Sequence, residues 1–347
     1  MNKKIIGLLS GTILAGIIIT GVFAFGNNNK ITRIDFPTIG GDLPADINFT
    51  LDKEIKFSDN RIKLNSSRFT DKAYKLSLKP ENKQEKIDKL KKIFNLEKST
   101  KTDMGEVITF MDENASLDIN ENGTFSYTKR KTNSKEISLT DKECINIAEN
   151  FLKENNLLPD DFFENGVAHE TKTSVKDPTD STIVKKDIYF NRKLNEKTVY
   201  GVSRIIVTVG ADSQIDSVYS LYRDFDGKGT SIEIKSFEEA FNDLKQLKGT
   251  VRTGDNTKSV KIKNVDLVYW EDSTPYSKQT HIQPVYHFKG EATDDKGNKD
   301  DSFEAFVPAI PDNLTIENKN SQEGSLPSDK KPVKSQVKQK KDIPSKD

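Results

Sequence analysis

Cysteine is all but missing from this chain: Cys144 is the only one in 347 residues. An internal disulfide is thereby excluded, as is any Cys-x-x-Cys redox or zinc pair, so stability must come from packing. Cys144 falls on the apolar face of a helix-patterned stretch and reads as a buried thiol rather than a reactive one. Histidine is scarce too, with three residues. His169 stands alone in a polar loop. His281 and His287 share one strand about 20 Å apart, too far for both to bind one metal ion, and read as surface or groove histidines. An excess of either charge is also lacking, since 54 Lys and Arg balance 54 Asp and Glu; steering toward nucleic acid is not supported. No glycine-rich phosphate loop and no Gly-x-Ser-x-Gly elbow occurs. Without a nucleophile beside a base, a metal set or a cofactor motif, the chain reads as a non-enzyme that needs no cofactor.

What is present begins with one apolar run. Residues 5–25, from Ile5 to Phe25, carry no charge, and at about 1.5 Å per residue they can cross a hydrocarbon core of about 30 Å. Lys3 and Lys4 precede the run, and short basic ends stay in the cytoplasm, so everything after Gly26 is expected outside the membrane. A cleavable secretory signal is the competing reading, with cleavage after Ala24 and a secreted product. Against it, the run exceeds the usual ~7–15 residues and Val22 stands where a small residue is expected. No cysteine follows the run, which argues against a lipoprotein, and the Gly7 and Gly11 spacing is weak support for helix pairing.

The remainder is hydrophilic, with 33 % hydrophobic and 31 % charged residues overall. Residues 26–72 read as a linker and an irregular region, with a short strand at 31–36 before a turn-rich stretch at 37–41. A half-buried strand follows at 73–78. Three helices are then expected, each opened by a capping box: Asn82 with Glu85, Thr140 with Glu143, and Ser236 with Glu239. Their apolar stripes are Ile87, Leu90, Ile93 and Phe94; Cys144, Ile147, Ala148, Phe151 and Leu152; and Phe237, Ala240, Phe241, Leu244 and Leu247, the last ended by Gly249 at C′. Strands follow each: 107–111, 116–119 and 124–127 with an Asn-Gly hairpin at 120–123; 188–191, 199–209 and 215–225 with a turn at 210–213; 260–270, 282–292 and 303–307. Helix followed by three strands thus recurs. The expected class is α+β, an N-terminal transmembrane helix and then repeated helix-on-antiparallel-sheet modules over residues 73–130, 138–226 and 231–311. Residues 312–347 are expected to be a disordered tail. Its last 19 residues hold seven lysines against three aspartates, a composition attractive to anionic cell-wall polymer.

Sites for chemistry are few. The stretch Asp224-Phe225-Asp226-Gly227-Lys228-Gly229 has part of a calcium loop but lacks its third carboxylate and its bidentate Glu. Asp294, Asp295, Asp300 and Asp301 crowd a hairpin at 294–301, most simply a solvated tip. What remains is aromatic and amide-bearing strand surface. Tyr269, Trp270, Gln283, Tyr286 and Tyr222, together with Tyr276, are candidates for a partner-binding surface, because outward-facing aromatics favour protein or peptide recognition. Alternation along the strands sends half of such residues into the core instead.

The stretch 190–225, with Val199-Tyr200-Gly201 leading into Ile205-Ile206-Val207-Thr208-Val209-Gly210 and then Ile215, resembles the PepSY-like and protease-propeptide modules of bacterial envelope proteins. The third unit is similar to the YycH/YycI group in its Ser236-Phe237-Glu238-Glu239-Ala240 helix, its 265–270 strand, its Gln283-Pro284-Val285-Tyr286 segment and its 303–310 ending. That resemblance implies a single membrane helix, extracytoplasmic α+β modules, no catalytic residues, and a regulatory or inhibitory role exercised by contact with a membrane-associated protein such as a sensor kinase, protease or cell-wall hydrolase. The other reading is an envelope polymer-binding or peptide-binding module.

Overall fold

The three stretches with helical apolar spacing form α1 (Lys83–Ile93), α2 (Asp141–Glu154) and α3 (Phe237–Lys245). This is a computed structural model that describes residues 30–32, 47–77, 82–132, 135–173, 181–254, 256–272 and 279–316. The apolar run at 5–25, the turn-rich stretch at 37–41, Tyr276 and the tail from 317 onward lie outside the described residues. Among those described, no helix is long and apolar enough to cross a membrane.

Two of the three expected capping boxes form. Thr140 and Ser236 sit in extended backbone, and their side-chain oxygens accept the amides of Glu143 (3.3 Å) and Glu239 (3.2 Å), while each glutamate accepts the cap amide in return. At α1 the box does not form: Asn82 is left-handed, with φ 55°, and its side chain makes no cap bond. At the end of α3 the expected Gly249 is also displaced. Leu247, with φ 55°, takes the left-handed position, and Gly249 instead lies against Phe306, where a Cβ would stand 2.3 Å from the Phe306 carbonyl oxygen.

Strands dominate the rest. They are β1 (Ile31–Thr32), β2 (Asn48–Phe57), β3 (Phe69–Lys75), β4 (Thr100–Asp103), β5 (Val107–Met111), β6 (Ala115–Asn120), β7 (Phe125–Lys129), β8 (Phe162–Thr173), β9 (Ser181–Leu194), β10 (Lys197–Gly210), β11 (Ile215–Ser220), β12 (Thr230–Ile234), β13 (Thr250–Arg252), β14 (Thr257–Glu271), β15 (His281–Asp294), β16 (Lys299–Pro308) and β17 (Thr315–Ile316). The expected α+β class of repeated helix-on-sheet modules is therefore corrected. The described chain is mainly β, and the strands do not close into separate three-stranded units. All except β1 and β17 join a 15-stranded sheet, whose main path is β12-β3-β15-β14-β10-β11-β7-β6-β5-β4. Local periodicity marks many of the strands but carries no information on which distant strand each will pair with.

One strand pair connects the two halves of that path. β14 pairs antiparallel with β15 along one edge; along the other it pairs parallel first with β2 and then with β10. The β10 seam is three residue pairs long: Val199 with Tyr269, Tyr200 with Trp270, and Gly201 with Glu271. Beyond it β10 bends, and its pairing with β9 is interrupted between Val199 and Arg204. On one side of the seam α3 packs with β2, β3 and β12–β16 around Phe237, Phe241, Val265, Tyr286 and Phe288. On the other, α1 and α2 share a single core with β5–β11, built on Leu90, Leu117, Cys144, Leu152, Phe190 and Val207. Cys144 is buried and unpaired, as its position implied, and burial raises its pKa.

Gly201 is what lets the seam close. Its φ is +87°, and a Cβ there would stand 1.9 Å from the Glu271 carbonyl oxygen. Gly201→Ala is therefore expected to lower stability by about 3 kcal/mol, combining left-handed strain with overpacking against backbone that cannot yield. Urea denaturation of the full chain measures this, and a midpoint equal to that of the unsubstituted protein would mean that the seam opens without cost.

Candidate functional site

The two parallel partners of β14 do not meet. The β2 ladder stops where Phe57 pairs with Val265, and the Ser58 amide donates to the Val265 carbonyl at 3.2 Å. The β10 ladder begins at Tyr269. Residues 266–268 of β14 thus have no strand partner on this edge, and a cleft of about 650 Å³ lies there, walled by residues 58–60, 195–198, Tyr200 and Lys289. The opposite edge of the same residues is paired with β15, Asp266 with His287, Leu267 with Tyr286 and Val268 with Val285.

The wall formed by residues 195–198 is a tight turn. Leu194 pairs with Lys197, and both residues between them are left-handed, Asn195 with φ 47° and Glu196 with φ 63°. Such a pair forms the type I′ turn whose twist suits a two-residue hairpin. Asparagine tolerates this backbone; glutamate adopts it at a cost of about 1–2 kcal/mol. The turn delivers Lys197 to a carboxylate pair. Its Nζ lies 3.0 Å from Asp71 Oδ2 and 3.8 Å from Asp59 Oδ2. Arg61 closes the other side, its Nη2 lying 2.6 Å from Asp59 and 2.8 Å from Asp71. Tyr269 donates its hydroxyl to Asp71 at 3.1 Å, and Asn195 donates to the Tyr74 hydroxyl. On β14 itself, Asp266 pairs with Lys289 at 2.5 Å.

These contacts set the ionisation of the cluster. The Arg61 hydrogen bond holds Asp59 below the usual carboxylate range. Burial alone would raise Asp71, but the Lys197 hydrogen bond, the Lys72 amide and Arg61 outweigh it, and Asp71 too is held low. Burial pushes the Tyr269 hydroxyl up, with the Asp71 charge adding to it. The result is a rim of compensated charges around an unpartnered stretch of strand edge. Among the described residues, no group of three or more His, Cys, Asp or Glu is arranged to hold a metal ion.

The residues singled out from sequence do not form a common exposed face. Tyr269 and Tyr286 are 0 % exposed, Gln283 2 % and Trp270 3 %. Tyr269 underlies the charged cluster beside the cleft. Trp270 points to the other side of the sheet, against Phe306 with ring centroids 5.0 Å apart. Gln283 donates to the Thr32 carbonyl and ties down β1, while Tyr286 donates to the Lys235 carbonyl at 2.6 Å. Tyr222 is half-buried elsewhere, against Phe162 at 4.7 Å and below the Arg192 guanidinium at 5.4 Å. These four buried residues are interior because β14 and β15 are covered on both faces, by clusters centred on Val265 and Leu267 on one and Val268 and Phe306 on the other. His287 is likewise 2 % exposed, bound to Glu304 at 3.0 Å and stacked on Phe306, so its reading as a surface or groove histidine is corrected to an interior one. His281 is half-buried, and His169 lies 2.9 Å from Asp141. The acidic hairpin is held by local bonds and one lysine: Asp294 accepts the amides of Lys296 and Asn298, Asp300 that of Ser302, and Asp301 pairs with Lys263 at 2.8 Å. Sequence reasoning missed Asp59, Arg61, Asp71 and Lys197, which lie far apart along the chain and form no motif.

No family model matches the chain. No curated protein matches it either. Among solved structures it is similar to the Bacillus megaterium YpeB C-terminal domain, at 13 % identity and a TM-score of 0.33, covering 66 % of this chain and 99 % of that one. At that identity and score the likeness carries no argument about fold or function.

The charged cluster has a testable pH signature. Asp59 and Asp71 are lowered from 3.8 in the folded protein. The stability they contribute is complete above that value and is lost as the pH falls through their lower folded values. Asp71→Asn is expected to cost about 2 kcal/mol at pH 7, less than for a fully buried pair because Arg61 is 39 % exposed. The difference between the variant and the unsubstituted protein should hold down to about pH 4 and then shrink as urea midpoints are taken from pH 4 toward pH 2. A difference independent of pH would remove Asp71 from the cluster's electrostatics.

Proposed function

We propose that the chain is a membrane-anchored, extracytoplasmic, non-enzymatic regulator that acts by contact with a protein at or near the membrane, a sensor kinase, protease or cell-wall hydrolase. The cleft along β14 is the place where it holds an extended segment of that partner. The observation that carries this reading is the unpartnered edge at residues 266–268, set between β2 and β10. A peptide backbone laid there gains main-chain hydrogen bonds from a strand already held in place, the basis of recognition by strand addition. The compensated ion pairs around it supply fixed donors and acceptors for side chains without presenting one dominant charge. The apolar run at 5–25, read as an anchor, supports the same function, since confinement to a membrane raises the effective concentration of a membrane partner.

The second reading, attachment to anionic cell-wall polymer, rests on the lysine-rich last 19 residues and on electrostatic attraction alone. The two are separated by placing a photo-crosslinking residue at Asn60, on the cleft wall, in the full chain in native membranes. The expected product is an adduct with one protein, mapped to one continuous segment of it, and weakened roughly tenfold by Asp266→Lys, which sets like charges side by side at the rim. Recovery of lipid and wall polymer alone would overturn the reading.

A further inference from the structure

A second pocket, sharing no residue with the cleft, lies between α1, the turn after α2, β7 and β11. It has a volume of about 280 Å³. Its floor is apolar, made by Leu90, Phe125 and Leu157, and its polar lining includes Lys86, Lys89 and Tyr222. The two lysines are one turn of α1 apart, so both ammonium groups are presented to the same side. Lys89 is held in place by donating to the Asn156 carbonyl at 3.2 Å. Lys86 is half-buried and, among the described residues, makes no ion pair or hydrogen bond through its side chain.

An ammonium group that leaves water without a partner carries an uncompensated desolvation cost. Burial accordingly lowers the Lys86 pKa, with the charge of Lys89 acting in the same sense and that of Asp224 opposing it. Burial also pushes the Tyr222 hydroxyl up to about 12, which keeps it protonated and able to donate. Glu85 is also on the lining, but it is exposed and pairs with neither lysine. The pocket therefore presents two cations and a hydroxyl donor above an apolar base.

We propose that this pocket binds a carboxylate carried on a short apolar stem, the carboxylate meeting Lys86 and Lys89 and the stem lying on Leu90, Phe125 and Leu157. A bare anion would leave the apolar base uncovered, and a neutral molecule would leave Lys86 unpaired. A free branched-chain acid and the C-terminal residue of a peptide both present this chemistry.

Isovalerate is the probe, with isovaleramide as its neutral counterpart, in saturation-transfer NMR on the full chain. Isovalerate should bind with a millimolar Kd and isovaleramide at least tenfold more weakly. Lys86→Met should weaken isovalerate at least tenfold, and Lys86→Arg should retain most of the affinity, which excludes a general loss of folding as the cause. A tripeptide ending in valine separates the sources: tighter binding than isovalerate assigns the pocket to a peptide end, and weaker binding assigns it to a free acid. Equal binding of the acid and the amide, or an unchanged Kd in Lys86→Met, would overturn the proposal.

Discussion

The three-residue parallel seam between β10 and β14 is the constraint on which the rest of the structure depends. No other strand pair on the sheet path joins the side built around α3 to the side built around α1 and α2. A parallel ladder this short supplies few hydrogen bonds, and parallel pairing is slightly the weaker kind. It is pinned by a buried ion pair. Glu271, the last residue of β14, is 0 % exposed and accepts both the Arg223 side chain at 2.8 Å and the Arg223 amide at 3.1 Å. Arg223 in turn donates to the Asp272 carbonyl and to Gln279, and its own carbonyl accepts from Arg192. Such a pair adds little net stability compared with apolar residues of the same size, but breaking one side leaves an uncompensated buried charge. Its effect is to fix the position of the seam.

From that seam the cleft follows. β2 and β10 pair with the same edge of β14 at its two ends, and past Gly201 the edge of β10 that had faced β14 passes to β11, while its pairing with β9 resumes at Arg204. The edge between them is left open because neither strand can extend: β2 turns off at Ser58, and β10 begins at a two-residue turn whose geometry fixes where Lys197 lies. The charges that ring the opening are balanced locally, as the whole chain is balanced, so the site offers geometry and hydrogen bonds rather than a strong field. The same covering of β14 and β15 on both faces explains why an aromatic-rich stretch that resembled a binding surface became core.

What the sequence determined by itself is what neighbours within four residues can decide. The capping boxes at Thr140 and Ser236, the apolar stripes of all three helices and the hairpin ending in Gly123 with φ 85° all rest on such local spacing, and each was legible. Even here local signals have a boundary. Asn82 carried the residues of a capping box, yet its backbone adopted the left-handed conformation that removes its side chain from the helix end. β8 escaped notice because an edge strand with one partner, β9, needs no apolar alternation.

Only the tertiary structure decided the sheet order, the fusion of the expected modules through β14, and both candidate sites. Asp71 meets Lys197 across 126 positions of sequence and Tyr269 across 198. Lys86 is distinguished by lacking an ion-pair or hydrogen-bond partner among the described residues, which no sequence records. The physical reason is the same in each case: helix formation is settled along the chain, whereas strand pairing and ion pairing are settled across it, between groups that meet only once the fold has closed.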